Sequence, residues 1–329
     1  MSTCSRRDFL AASGAMAAGA GPLRRALAGL AAEPPEPPEP PEPPEPYALV
    51  LGSAQDGGLP QVGCYTPRCD RARFEPRYVA SLALIEPDPE RFYLVDATPD
   101  ITRQLDLIEE SSFRRRAGER RPFDGIFLTH AHIGHYAGLA QLGREGLGIA
   151  STPVYCTPRM AEYLGTNGPW SLMVDEGRLV FPDVPLDQWF DIDDKIAARM
   201  IPVPHRQEFS DTVGFMFRGP SRSILYLPDI DRWEDWSYGI SDLVREVNVA
   251  LLDGSFYSAG EVQGRSIEEI PHPLIPHTMD ILQSVVRSGA RVVFTHLNNT
   301  NPAHDDGPER AEIERRGFEV ARAGMRLRL

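Results

Sequence analysis

At 329 residues with 42% hydrophobic side chains, the chain has an ordinary globular composition, long enough for one large domain or two small ones. Its formal net charge of −13 argues against a nucleic-acid groove, because phosphate binding needs clustered Lys and Arg. The basic residues are nearly all arginine, with Lys195 the only lysine, a bias of genome composition rather than of function.

The chain opens with S-R-R-D-F-L (Ser5–Leu10) and a small-residue apolar run from Ala11 to Leu23. Residues 1–32 therefore resemble a twin-arginine (Tat) export signal. The run is too short and too rich in Ala and Gly to span a membrane, and Ala26-Leu27-Ala28 offers a small-x-small cleavage site beside Arg24 and Arg25. The expectation is a periplasmic or secreted protein, exported folded, with no stable membrane anchor once the signal is cut. Residues 33–46 repeat Glu-Pro-Pro, which removes backbone donors and fixes φ, so this stretch is an extended, solvated spacer.

From Tyr47 to Leu329 apolar strands alternate with helices, and the content is similar in both halves, as in one large domain. A strand from Tyr47 to Ser53 runs into the loop A-Q-D-G-G-L-P-Q-V-G-C (Ala54–Cys64). Its glycines at 57, 58 and 63 suit a loop folding over a pocket, and it lacks the Gly-Lys-Ser/Thr ending of a phosphate-binding loop. Strands follow at 79–86 and 91–96, then a helix from Pro99 to about Glu110, a strand at 125–129 and helical spacing from Tyr136 to Glu145. Short strands at 154–156 and 178–181 are joined by a long connection holding Trp170. The second half reads as strands at 196–203, 213–217, 224–227, 249–252 and 291–294. Helices are expected at 274–287 and 308–316, and a last strand at 318–329. Meander strands in both halves with helices between them predict an α/β fold, two sheets with helices outside in an αβ/βα four-layer sandwich.

The most informative stretch is L-T-H-A-H-I-G-H-Y-A-G-L, residues 128–139. It places His130, His132 and His135 just past an apolar strand, in a chain whose eight histidines are absent from the first 129 residues. Two imidazoles at i and i+2 on a loop can turn to one side, and neutral imidazole suits Zn, Fe or Mn. Asp96, His130, His132, His205, Asp229 and His296 each sit where an apolar strand stops, so neighbouring strands would bring all six to one edge.

The order Asp, H-x-H-x-x-H, His, Asp, His resembles the motifs of the metallo-β-lactamase superfamily across residues 47 to 300. Within it, A-Q-D-G-G-L-P-Q-V-G-C, T-H-A-H-I-G-H-Y, L-P-D-I-D-R-W (227–233) and H-L-N-N-T-N-P (296–302) look most like the pyrroloquinoline quinone biosynthesis protein B family and its metallo-hydrolase relatives. The resemblance implies a first metal on His130, His132 and His205, a bridging Asp229, a second metal on His135 and His296, and Asp96 as an orienting carboxylate. Asp96 also reads as a helix N-cap ahead of Pro99. One departure matters: the family pattern is H-x-H-x-D-H, and this chain has Gly134 in place of the aspartate. The expectation is one firmly held zinc, with iron or manganese as alternatives, and a partial second site of Asp229, His135, His296 and waters. Gly134→Asp should then tighten the second metal if that position points inward.

Cys64 and Cys69 lie in C-Y-T-P-R-C, where some relatives carry a denser cysteine cluster holding structural zinc. Here zinc would need Asp70 or a distant histidine such as His272; a short disulfide and free thiols are the other readings. Cys156 reads as a buried strand residue, and His272 and His277 as pocket-lining or surface groups. The functional expectation is an exported metallo-hydrolase acting on a small molecule, with Asp229 as the base beside the attacking water. The alternatives are a metal-dependent oxygenase of quinone-cofactor biosynthesis and a catalytically silent metal-binding protein.

Overall fold

Strands buried on both faces read as near-continuous apolar runs, and S-L-A-L-I-E in the first half and V-A-L-L-D in the second are buried along their whole length. The computed structural model describes residues 44–261 and 269–329. The export segment and all but the end of the spacer lie outside the described residues.

Among the described residues the strands form two seven-stranded sheets. The first contains β1 (Tyr47–Gly52), β2 (Ser81–Pro87), β3 (Glu90–Val95), β4 (Gly125–Phe127), β5 (Thr152–Tyr155) and β6 (Leu179–Val180). The second contains β7 (Trp189–Asp191), β8 (Ala197–Pro202), β9 (Val213–Arg218), β10 (Ser223–Leu227), β11 (Val249–Asp253), β12 (Arg291–Thr295) and β13 (Glu319–Val320). β14 (Arg326–Arg328) returns to the edge of the first sheet, beside β1. The orders are β14-β1-β2-β3-β4-β5-β6 and β13-β12-β11-β10-β9-β8-β7.

Both sheets repeat one pairing pattern. Antiparallel pairs lead from the edge to β3 in one sheet and β10 in the other, and parallel pairs continue from there through β4, β5 and β6 or β11, β12 and β13. The carboxyl ends of β3, β4, β10, β11 and β12 deliver the chain to the positions where open α/β sheets bind ligands. The inner faces meet in an aromatic and aliphatic layer around Phe127, which stacks on Tyr155 at 4.6 Å and meets Phe215 and Phe217 edge-on. Helices cover both outer faces, giving the αβ/βα sandwich. No helix among the described residues is long and apolar enough to cross a membrane.

The departures from the sequence reading are local. The helix expected from Pro99 to Glu110 is instead Ile101–Gln104 with a tighter turn at Leu105–Leu107, and a second helix follows at Ser111–Gly118. Buried Ile108 and Phe113 are five residues apart, so one continuous helix would send them to different faces. The helix expected at 136–145 becomes Ile133–Tyr136 followed by a 3-10 segment, Ala137–Leu142, because Gly138 donates its N–H to Ala97 rather than to the helical ladder. The connection around Trp170 contains two helices, Pro158–Thr166 and Trp170–Asp175. The last strand is broken in two: Gly324, at φ 87°, donates to the Val50 carbonyl and hands the chain from the second sheet to the first.

Candidate metal centre

Six side chains from distant segments converge at the strand ends. His130 and His132 follow β4, His135 lies one turn on, His205 follows β8, Asp229 follows β10 and His296 follows β12. His132 Nδ1 lies 2.9 Å from His130 Nε2 and 3.2 Å from His205 Nε2. These are not explained as hydrogen bonds, because the protons sit elsewhere. His205 Nδ1 is 2.7 Å from Asp231 Oδ1, an acceptor only, so it carries the N–H. The Thr129 hydroxyl donates to Asp96 and accepts from His130 Nδ1 at 3.0 Å, so His130 is protonated there as well. His132 turns its Nε2 toward Glu208 at 3.4 Å. Three bare nitrogens therefore face one another, a repulsive arrangement that a cation resolves. Tetrahedral zinc with Zn–N of about 2.0–2.1 Å needs its nitrogens about 3.3 Å apart, close to what the chain provides.

A second set lies on the other side of Asp229. Its Oδ2 is 2.9 Å from His135 Nε2 and 3.2 Å from His296 Nε2, while His130 and His205 lie 3.7 and 3.8 Å from its two oxygens. His135 Nε2 and Asp229 Oδ2 are buried and have no hydrogen-bond partner, although they approach this closely. Asp56 Oδ1, from the loop after β1, closes the set with His135 and His296. The residues present thus fit a metal by their donor chemistry and by orphaned atoms aimed at a common point.

Asp96 is fully buried, with φ 62°, a conformation Asp tolerates better than most residues. Its Oδ1 accepts the Thr129 amide at 2.9 Å and its Oδ2 accepts His135 Nδ1 at 2.7 Å. One carboxylate thereby sets the tautomer of a histidine in each set, directly for His135 and through Thr129 for His130. Asp100, not Asp96, occupies the N-cap position of the following helix, so the capping alternative is replaced by this orienting contact. His296, also at positive φ, has its Nδ1 3.1 Å from Ser255 Oγ.

Burial and the neighbouring imidazoles hold His130 well below the usual histidine range. For His135 burial acts the same way, but Asp96, Asp229 and Asp56 around it dominate and raise it well above. Beside Asp229 stands a dyad whose pairing composition did not reveal: His272 Nδ1 lies 2.7 Å from Asp253 Oδ2, at the end of β11. Burial opposes protonation of His272, yet Asp253 raises it to about 9. Its Nε2 is buried without a partner. Asp231, Ser255 and Asp253 carry no sequence signal of their own, because Asp and Ser near strand ends are common turn residues; Asp231 lies two residues past Asp229, and Asp253 and Ser255 stand at the end of β11, between β10 and β12, which lead to Asp229 and His296. His277 pairs with Glu234 on the surface and His304 bonds backbone carbonyls, so neither joins the centre.

Cys64 and Cys69 form a disulfide, with Cα atoms 5.9 Å apart, and this overturns the structural-zinc reading. The other ligands it needed are engaged elsewhere, Asp70 near Arg73 and His272 with Asp253. Cys156 is buried and free. For so short a loop the chain-entropy gain is about 2 kcal/mol. Replacing both cysteines by serine should lower the unfolding free energy by about that amount or less in urea titrations; a loss above about 4 kcal/mol would mean the bridge organises more than its own loop.

Residues 91–297 match the Beta-lactamase superfamily domain. The chain is 30% identical over 309 residues to the coenzyme PQQ synthesis protein B of Methylobacterium radiotolerans, covering 85% of this chain and 99% of that one. It is 30% identical over 311 residues to the protein of the same name from Cupriavidus necator, covering 85% and 98%. Among solved structures, Zn(2+)-bound PqqB from Methylobacterium extorquens superposes with a TM-score of 0.73 at 25% identity, covering 86% of this chain and all of that one.

Proposed function

The chain belongs to the metallo-β-lactamase superfamily, among the relatives of coenzyme PQQ synthesis protein B, and from that premise we propose that it is a metal-dependent enzyme of quinone-cofactor biosynthesis. The observation that carries this reading is the end-to-end likeness, 85% of this chain against 99% of the relative, on a fold whose strand ends hold two sets of ligands joined at Asp229. A Zn(2+)-bound relative supports zinc as the ion. His130, His132 and His205 would hold one metal, with Asp229 shared toward His135 and His296. A metal held there supplies Lewis acidity or, if it is iron, dioxygen chemistry.

The chain's own residues prepare the centre in three ways. Asp96 and Asp231 hold Nδ1 protons so that Nε2 lone pairs face inward. Asp229 lies at the join of the two sets, where it is the carboxylate able to accept a proton from a reacting group. His272, oriented by Asp253, stands beside it, with Nδ1 3.8 Å from Asp229 Oδ1 and a buried Nε2 that has no hydrogen-bond partner. An extracytoplasmic site of action is part of the proposal, supported by the S-R-R-D-F-L segment and by a disulfide, which persists in oxidising compartments.

The test is complementation. The full chain, introduced into a bacterium lacking its own coenzyme PQQ synthesis protein B, should restore cofactor production. No restoration from a folded, metal-loaded protein would reject the reading. The second reading, a hydrolase, is favoured by the two joined ligand sets, an arrangement suited to clamping attacking and leaving oxygens. It predicts turnover of ester or phosphodiester substrates by the zinc-loaded protein without dioxygen.

A further inference from the structure

The second ligand set closes only because of a residue outside the matched span 91–297. Asp56, on the loop after β1, places Oδ1 3.3 Å from His135 Nε2 and 3.4 Å from His296 Nε2. Asp229 Oδ2 lies 2.9 and 3.2 Å from the same two nitrogens, so both carboxylates face the point between the two imidazoles. His135 Nε2 and Asp229 Oδ2 are buried and unpartnered, which independently marks that point as the place of a ligand.

Gly134 explains how Asp56 gets there. A Cβ at position 134 would overlap Asp56 Oδ1 and lie 2.7 Å from its Cα and 2.8 Å from its Cγ. The space beside His135 that a side chain at 134 would enter is thus filled by a carboxylate arriving from another segment. The arrival is in register with the rest of the site. Gln55 donates its amide to the Leu297 carbonyl at 2.8 Å, Leu297 donates to the Ser53 carbonyl at 2.8 Å, and Asn298 donates to the Gln55 side chain. The loop bearing Asp56 is therefore stitched to the segment that continues from His296. Asp56 remains partly exposed, so the carboxylate borders the solvent side of the centre.

We propose that Asp56 is a metal ligand, taking over from position 134, and that it completes a second full site with His135, His296 and Asp229. The partial second site expected from Gly134 is replaced by a relocated one, and Gly134→Asp alone should disrupt it rather than tighten it. The inference rests on the metal-dependent reading for its ion but not on the reaction, because it is read by stoichiometry.

The full chain, loaded with Zn²⁺ or Mn²⁺ and dialysed, should hold two equivalents by elemental analysis, and the Mn²⁺ form should show the exchange-coupled spin-resonance signal of a paired site. Asp56→Asn, nearly isosteric, should lower the affinity for one equivalent at least tenfold and abolish the coupled signal. Gly134→Asp alone should also lose an equivalent. Two equivalents at parental affinity in Asp56→Asn, or one equivalent in the parent, would overturn the proposal. Failure of cofactor complementation with these stoichiometries intact would reject the reaction and leave the ligand assignment standing.

Discussion

Asp229→Asn is expected to weaken both halves of the centre at once and to reduce activity at least a thousandfold, about 4 kcal/mol of transition-state stabilisation. The size follows from position. Asp229 is buried with one oxygen 2.9 Å from His135 Nε2, 3.2 Å from His296 Nε2 and 3.7 Å from His130 Nε2, and the other 3.8 Å from His205 Nε2. Among the described residues no other carboxylate touches histidines of both sets. Asparagine keeps the volume but withdraws the charge, and its amide group can donate to the bare imidazole nitrogens, so the metal-free fold should survive. The expected result is one metal equivalent or fewer, lost cofactor production in the complemented strain, and a metal-free melting temperature near the parent's. Parental metal content together with parental activity would show that Asp229 is a bystander.

Much of this centre was readable in advance, for a physical reason. Strands buried on both faces appear as unbroken apolar runs, so their ends are visible, and a polar residue at such an end has few structural excuses. That is why the sequence alone places His130, His132, His205, Asp229 and His296 at one edge. Helix boundaries were poorer guides, because segments such as Ala137–Leu142 are shaped by a tertiary contact, Gly138 to Ala97, that periodicity does not encode. Asp56 was legible only as part of a glycine-rich loop suited to covering a pocket. Its significance depends on the gap beside Gly134, and a relation between two segments so far apart in the chain leaves no local pattern. The same holds for Asp253 and His272, each unremarkable until β11 and the segment before Ile275 bring them within 2.7 Å.

Asp96 separates stability from metal binding in a way two substitutions can resolve. Alanine there removes the acceptor for the Thr129 amide, the Thr129 hydroxyl and His135 Nδ1, and leaves a fully buried imidazole N–H without a partner. Breaking a buried charged pair costs about 3–5 kcal/mol, and holding alanine at φ 62° adds about 1–2 kcal/mol. Asp96→Ala should therefore lose about 4 kcal/mol or more in urea unfolding with chelator present, where no metal masks the effect. Asparagine accepts the left-handed backbone with little strain, but it offers one acceptor where aspartate offers two. If its oxygen serves Thr129, its amide faces His135 Nδ1 and drives the proton to Nε2, the atom that points at Asp229 and Asp56. If the amide is turned round, the Thr129 N–H and hydroxyl lose their partner and His130 loses its relay. Either orientation disarms one ligand set, so Asp96→Asn should keep most of the stability while lowering metal affinity about 10–100-fold. An Asp96→Ala variant as stable as the parent, or an Asp96→Asn variant with parental affinity, would mean that the tautomers at His130 and His135 are set by something other than this carboxylate.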